Sequence, residues 1–233
     1  MKPVLEVIVC SVDDAISAER GGAGRLEVIS NFEAGGLTPP SELVREIAAK
    51  VRIPLRVMVR ETENFFIKDE KNIERLCEAA RSYADLCVDG LVIGFLQDHG
   101  SQTGIDHESL ARVLSNAPDL KATFHRAFEL LTDPRDAITE LKLYPQIDRI
   151  LTSGGDWPWP QKIGWFTEWQ KTAWPEIMII VGGGVSDETI RLFRRSTTLR
   201  EFHVGRAVRE GNRVNGGVQE EKVRALVELI END

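Results

Sequence analysis

The sequence predicts an α/β fold, a single (β/α)8 TIM barrel, from two observations. Eight short runs rich in β-branched and aliphatic residues alternate with eight longer amphipathic runs along the chain. Strand–helix alternation argues for parallel strands joined by right-handed crossovers, and eight such units suffice to close a barrel. The second observation is size. At 233 residues the chain has the length of an ordinary one-domain α/β barrel, so a single domain over residues 1–233 is expected.

The predicted strands are Leu5–Val9, Arg25–Ile29, Leu55–Val59, Leu91–Phe95, Lys121–Phe124, Arg149–Leu151, Ile177–Val181 and Glu201–Val204. The predicted helices are Val12–Gly21, Ser41–Lys50, Lys71–Tyr83, His107–Ser115, Pro134–Lys142, Ile163–Thr172, Ser186–Arg194 and Val218–Glu231. Local chemistry supports several boundaries. Asp106 is placed to cap the helix that begins at His107, and Asp133-Pro134 pairs a capping carboxylate with proline at the first helical position. Ser186 is a weaker cap. Gly21-Gly22 and Gly24 suit a helix end and a tight turn. An open doubly wound sheet ranks second, because Cys10-Ser11-Val12-Asp13 after the first strand lacks the glycines of a phosphate loop.

Composition excludes several classes. The formal net charge is −8, so the overall field repels nucleic acid and anionic membrane surfaces. Neither is an expected partner. Cys10, Cys77 and Cys87 form an odd set with no CxxC spacing, which fits a reduced, cytoplasmic setting. The apolar run near the start is short and contains Glu6, so it reads as a strand and not as a secretion signal or membrane span.

Charged residues inside strands are costly unless paired, and this chain has many. Glu6, Glu27, Arg56 and Arg60 fall in or after the first three strands. His125 and Arg126 end the fifth, and His203 lies in the eighth. Glu6 and Glu27 are expected to face Arg60 or His125, either as structural ion pairs or as functional groups. Polar residues at the C-terminal ends of barrel strands are commonly functional, which singles out His125 and Arg126. His99 and His107 read as solvated.

Glycines follow the seventh and eighth strands as Gly182-Gly183-Gly184 and Gly205-Arg206. In barrels these loops are the usual phosphate site. Gly183, Gly184 and Gly205 let backbone N–H groups approach an anion, Arg206 adds a bidentate donor, and Ser153 after the sixth strand adds donors to the same pocket. The alternative is that these glycines only permit tight turns. All five tryptophans lie between Trp157 and Trp174. Trp165 and Trp169 share a helix face and are expected to pack on the barrel. Trp157 and Trp159 sit in a proline-stiffened loop read as a lid or a subunit interface.

The stretch Thr123-Phe124-His125-Arg126-Ala127-Phe128-Glu129, then Asp133-Pro134, then Arg149-Ile150-Leu151-Thr152-Ser153-Gly154, resembles the CutC family, named for copper homeostasis. Gly22-Ala23-Gly24-Arg25-Leu26-Glu27 leading to Gly35-Gly36-Leu37-Thr38-Pro39, and Gly182-Gly183-Gly184-Val185, extend the resemblance over most of the chain. It implies a (β/α)8 barrel, a cytoplasmic location, homo-oligomers and Cu(I) bound by cysteine. The sequence departs from the family pattern where the copper ligands are proposed. Ile8 and Ile29 stand at the cysteine positions, with Cys10 two residues beyond the first. Arg60-Glu61-Thr62 replaces an Arg-Pro-Arg element, and Gly205-Arg206 follows His203 where serines are usual.

Three functions follow. The first is copper handling, with Cu(I) at Cys10 and His125 or His203. The second is an enzyme of the lyase, isomerase or epimerase type acting on a small phosphorylated or carboxylated metabolite. There His125 is the general acid/base, Glu6 or Glu27 orients it or acts as the second such group, and Arg60 and Arg126 hold substrate oxygens. The third is a non-catalytic binding barrel.

Overall fold

The computed structural model describes residues 2–232. Eight parallel strands close into a barrel in the order β1-β10-β9-β8-β7-β4-β3-β2. The strands are β1 (Val4–Val9), β2 (Arg25–Val28), β3 (Leu55–Met58), β4 (Gly90–Ile93), β7 (Lys121–Phe124), β8 (Ile147–Thr152), β9 (Met178–Val181) and β10 (Glu201–Val204). The helices are α1 (Val12–Arg20), α2 (Ser41–Lys50), α3 (Glu70–Ala84), α4 (His107–Ser115), α5 (Pro134–Leu141), α6 (Trp159–Ala173), α7 (Asp187–Ser196) and α8 (Glu220–Asn232). Among the described residues no helix is long and apolar enough to cross a membrane.

Two further strands, β5 (Leu96–Asp98) and β6 (Thr103–Ile105), form an antiparallel hairpin between β4 and α4. The sequence does not announce it. Three-residue strands containing Gln97, Asp98 and Gly104 carry no apolar alternation.

The predicted caps form. Asp106 accepts from Ser109 N at 3.0 Å, and Asp133 accepts from Arg135 N and Asp136 N at 2.9 and 3.2 Å. Ser186 reaches Thr189 N at 3.4 Å. One boundary is corrected. Helix α6 begins at Trp159, with Pro160 in its first turn, and not at Ile163. Proline is tolerated there because the first N–H groups of a helix have no internal partner. Trp159 therefore belongs to the helix. Its ring packs edge-on against Phe193 with centroids 5.6 Å apart.

Strand register sorts the side chains. Leu5, Val7 and Val9 of β1 join the large core between strands and helices. Their neighbours Glu6 and Ile8 face the interior, where Ile8, Ile29, Met58 and Val92 form a separate apolar cluster. The charged strand residues also lie inside and pair across strands. Arg25 bonds Glu6, and its Nη2 reaches Glu201 at 2.7 Å. Arg149 meets Glu201 at 2.9 Å and also contacts Asp148. Arg56, 1% exposed, reaches Asp148 at 2.9 Å and Asp89 at 2.7 Å. This girdle explains how so much charge sits in a barrel interior: removing one partner of a buried pair strands the other.

Candidate functional site

A cavity of about 600 Å³ opens at the C-terminal ends of the strands. Missing side chains make the room. A Cβ on Gly94 would lie 2.5 Å from His125 Nδ1, and one on Gly205 would lie 2.4 Å from Phe32 Cζ. Glu27, Arg60, His125, Arg126, His203 and Arg206 contribute to the wall.

Glu6, Glu27 and His203 come together beneath this mouth because they occupy interior positions on adjacent strands. Register pairs Glu6 with His203, and Ile8 with Glu27. His203 Nδ1 is 2.7 Å from Glu6 Oε1, and its Nε2 is 3.7 Å from Glu27 Oε2. Glu6 is not in the cavity wall. Burial opposes its charge, but Arg25 and His203 outweigh burial and hold its carboxyl well below the usual range. Glu27 lacks so close a cation. Burial pushes it up to about 7, against the pull of His203. Burial works against a charged His203, yet Glu27 and Glu6 together raise it above its ordinary value. The expected partners of the two glutamates are thus corrected. Glu6 meets Arg25 and His203, while Arg60 acts on Glu27 only as one of several distant charges.

His125 behaves differently from the near-neutral acid/base expected of it. Burial, then the neighbouring Arg60, pushes it down to about 3, so the ring is neutral near pH 7. Ala127 N donates to Nδ1 at 3.2 Å, which assigns the ring proton to Nε2. That Nε2 is buried and has no partner among the described residues, and neither does Glu27 Oε1. Thr123 Oγ1, two residues before His125 and on the same strand face, is a third unpartnered atom. Buried polar atoms without partners are uncommon. Two of these three residues line the same cavity.

The arginines divide the work. Arg60 spends its donors on backbone: Nε reaches Thr62 O at 2.8 Å, Nη1 reaches Gly35 O at 3.3 Å, and Nη2 bonds Glu63 O. It clamps two rim loops, and its guanidinium lies 4.6 Å over Phe65. Arg126 is held by Glu129 through two bonds of 2.8 Å. Arg206 is exposed in the wall and makes no such bond among the described residues. Gly183 and Gly184, with φ of 80° and 88°, adopt the left-handed backbone that glycine allows and line the cavity beside Gly205. Ser153 does not line it. Its Cβ lies behind Gly183, its N–H donates to Glu129 at 2.6 Å, and its carbonyl accepts from Lys162 at 2.7 Å.

The thiolate ligand set expected from the resemblance does not assemble. Among the described residues, the group of His, Cys, Asp and Glu donors close enough to share an ion is Glu6, Glu27 and His203, within 4.8 Å of one another. Cys10 and His125 are not in it. Cys10 sits outside the cavity wall, with Sγ 3.8 Å from Arg209 Nη2, and burial raises its thiol to about 11. The glutamate–histidine group is itself committed to hydrogen bonds, since both oxygens of Glu6 already accept. Sequence reasoning passed over Arg25 as the partner of Glu6, Glu129 as the partner of Arg126, and the aromatic walls Phe32 and Phe65. The i,i+3 spacing of Arg126 and Glu129 was a usable signal. The others depend on distant strands and loops.

The CutC family profile matches residues 3–208. A mouse copper homeostasis protein cutC homolog is 33% identical over 200 residues, covering 86% of this chain and 72% of that protein. A family protein CutC from Xanthomonas axonopodis pv. citri is 32% identical, covering 85% and 81%. The structure of a CutC copper homeostasis protein from Streptococcus agalactiae superposes with a TM-score of 0.79 at 24% identity, covering 91% of this chain and all of that one. The closed barrel and the site at its mouth therefore sit on a shared framework, and this chain belongs to the CutC family.

Proposed function

We propose that the barrel mouth binds a small organic anion and moves a proton on it, as a lyase, isomerase or epimerase does. The observation that carries this reading is the pair of buried, unpartnered atoms, Glu27 Oε1 and His125 Nε2, on residues that share one cavity. Glu27, pushed up to about 7, is matched to proton transfer near neutral pH. Its carboxylate takes a proton from a carbon beside a carbonyl. The C–H electron pair becomes a C=C bond, the C=O π pair moves onto the oxygen, and the Nε2–H of neutral His125 stabilises the oxygen that gains charge. Return of the proton to another face or position gives the product. Glu6 keeps His203 oriented beneath Glu27 and favours its charged form. Arg206 and the N–H groups around Gly183 and Gly184 receive the anionic end.

The test is a thermal-shift screen with sugar phosphates and small carboxylates, followed by turnover of the stabilising compound. Glu27→Gln and His125→Ala should each reduce turnover by roughly 10²-fold or more. Unchanged turnover in both variants overturns the reading.

Copper handling is the second reading, supported by the names of the relatives. The donors present do not suit it. Cu(I) favours soft thiolate and thioether ligands, whereas the assembled group is two carboxylates and an imidazole, and Cys10 is a protonated thiol outside the cavity. A Cu(I) titration of the reduced protein against a chromogenic chelator, with Cys10→Ser alongside, decides the point. Stoichiometric binding lost in the variant restores a thiolate site.

A further inference from the structure

Beside the mouth, on the other side of Glu129, lies a second groove of about 520 Å³ between α6 and the loops after β7 and β8. Trp157 and Trp165 border it, 60% and 38% exposed, with centroids 6.1 Å apart and planes at 76°. Both Trp165 and Trp169 are expected on the barrel; Trp169 packs there against Phe128 and Phe166, at 5.4 and 5.5 Å, while Trp165 stays partly exposed. The remaining wall mixes apolar Phe128, Pro134 and Trp169 with Thr132, Asp133 and the ion-paired Arg135 and Glu168. At Gly155 a Cβ would meet nothing within 4 Å, so the floor is open.

We infer that this groove binds a sugar ring, and that the ring is the distal part of the ligand whose anionic end enters the mouth. The geometry favours a sugar over other occupants. A pyranose has an apolar C–H face that lies flat on an indole, and a rim of hydroxyls that both donate and accept. A wall of three tryptophans with three carboxylates, a guanidinium and two threonine hydroxyls meets both needs. The groove has the volume of a small-molecule site. A second protein copy fits poorly, because charged groups are depleted from the centres of protein interfaces. Glu129 lines both cavities, so the groove and the mouth adjoin across its side chain and a ligand long enough to pass around it would reach both. This last step rests on the mouth being a small-molecule site; the sugar groove does not.

The test is a tryptophan-fluorescence titration of the full chain with N-acetylglucosamine, which is neutral, and glucuronate, which is acidic. Saturable change with either sugar is expected, weakened roughly tenfold or more in Trp157→Ala and Trp165→Ala, a loss of about 1.4 kcal/mol. Both side chains are exposed, so both variants should keep the wild-type Tm and show that the loss is local. Tighter binding of glucuronate supports a ligand shared with the mouth, and equal binding overturns that part while leaving the groove. Absence of saturable change with both sugars, or wild-type binding in both variants, overturns the groove. Concentration-dependent assembly abolished by Trp157→Ala overturns it in favour of a second copy of the chain.

Discussion

Glu6 Oε1 lies 2.7 Å from Nδ1 of His203, while its other oxygen is bonded by Arg25. The carboxylate is 1% exposed, and its charge persists because Arg25 and His203 outweigh burial. In Glu6→Gln, Arg25 keeps only Glu201 as a carboxylate partner and His203 loses its 2.7 Å carboxylate contact. The expected loss of folding stability is roughly 3–5 kcal/mol, the usual cost of breaking a buried pair from one side. Urea unfolding at neutral pH measures it. A loss below about 1 kcal/mol would show that Arg25 and His203 find other partners.

Opposite pH slopes are expected from the two residues with unpartnered atoms in the cavity wall. Glu27 holds its proton up to about 7 in the folded chain, against 4.5 ordinarily. The folded state then binds more protons in that window, and the Glu27 contribution falls as pH rises. His125 has the reverse sign. Lowered from 6.5 to about 3, it contributes stability that is present above 6.5 and is lost as pH falls. The two oppose each other in the wild type. The Tm difference, variant minus wild type, should therefore rise with pH for Glu27→Gln and fall with pH for His125→Asn. Parallel curves would refute both shifts.

Activity should follow Glu27 and ignore the ionisation of His125. With a substrate in hand, the ascending limb of kcat/KM is expected near the Glu27 value of about 7. It should move in Arg60→Met, which removes a charge that lowers Glu27. A limb unmoved in that variant assigns the base elsewhere.

Cysteine reactivity offers a cheap check on the Cys10 environment. With its thiol raised to about 11, Cys10 should alkylate slowly near neutral pH. The exposed Cys87 should react first with iodoacetamide, because the thiolate is the nucleophile. Peptide mass spectrometry gives the order, and fast labelling of Cys10 would mean that its thiolate is accessible after all.

The barrel was legible because its signal is local. Alternation along Leu5–Val9 or Arg25–Val28, and caps such as Asp106 and Asp133, depend on residues a few positions apart. The site was legible only as a set of residue types. Glu27, His125, Arg206, Gly183 and Gly205 do share one cavity, but their chemistry follows from burial and distant neighbours. The sequence shows a histidine at the end of a strand. It does not show that Gly94 lets the backbone close over that ring and that Arg60 stands nearby, which together keep the ring neutral. The partners of Glu6 sit 19 and 197 residues away, beyond any spacing rule. Ser153 fits the motif yet faces away from the cavity, since the register of β8 and the close approach of Gly183 decide its direction.

The girdle of ion pairs inside the barrel has a consequence for how the chain can fold. Its bonds join Arg25 to Glu201, Arg56 to Asp148 and Arg149 to Glu201, across separations of 176, 92 and 52 residues. A partly assembled barrel ending before β8 would leave Arg25 with Glu6 alone and Arg56 with Asp89 alone, each short of its second carboxylate, Glu201 or Asp148. A buried charge that lacks part of its counter-charge is costly. Half-barrels of this chain are therefore poor resting states. The last strand to arrive closes a circuit, and closure makes assembly all-or-none, so that the two ends of the sequence check one another before the core is sealed.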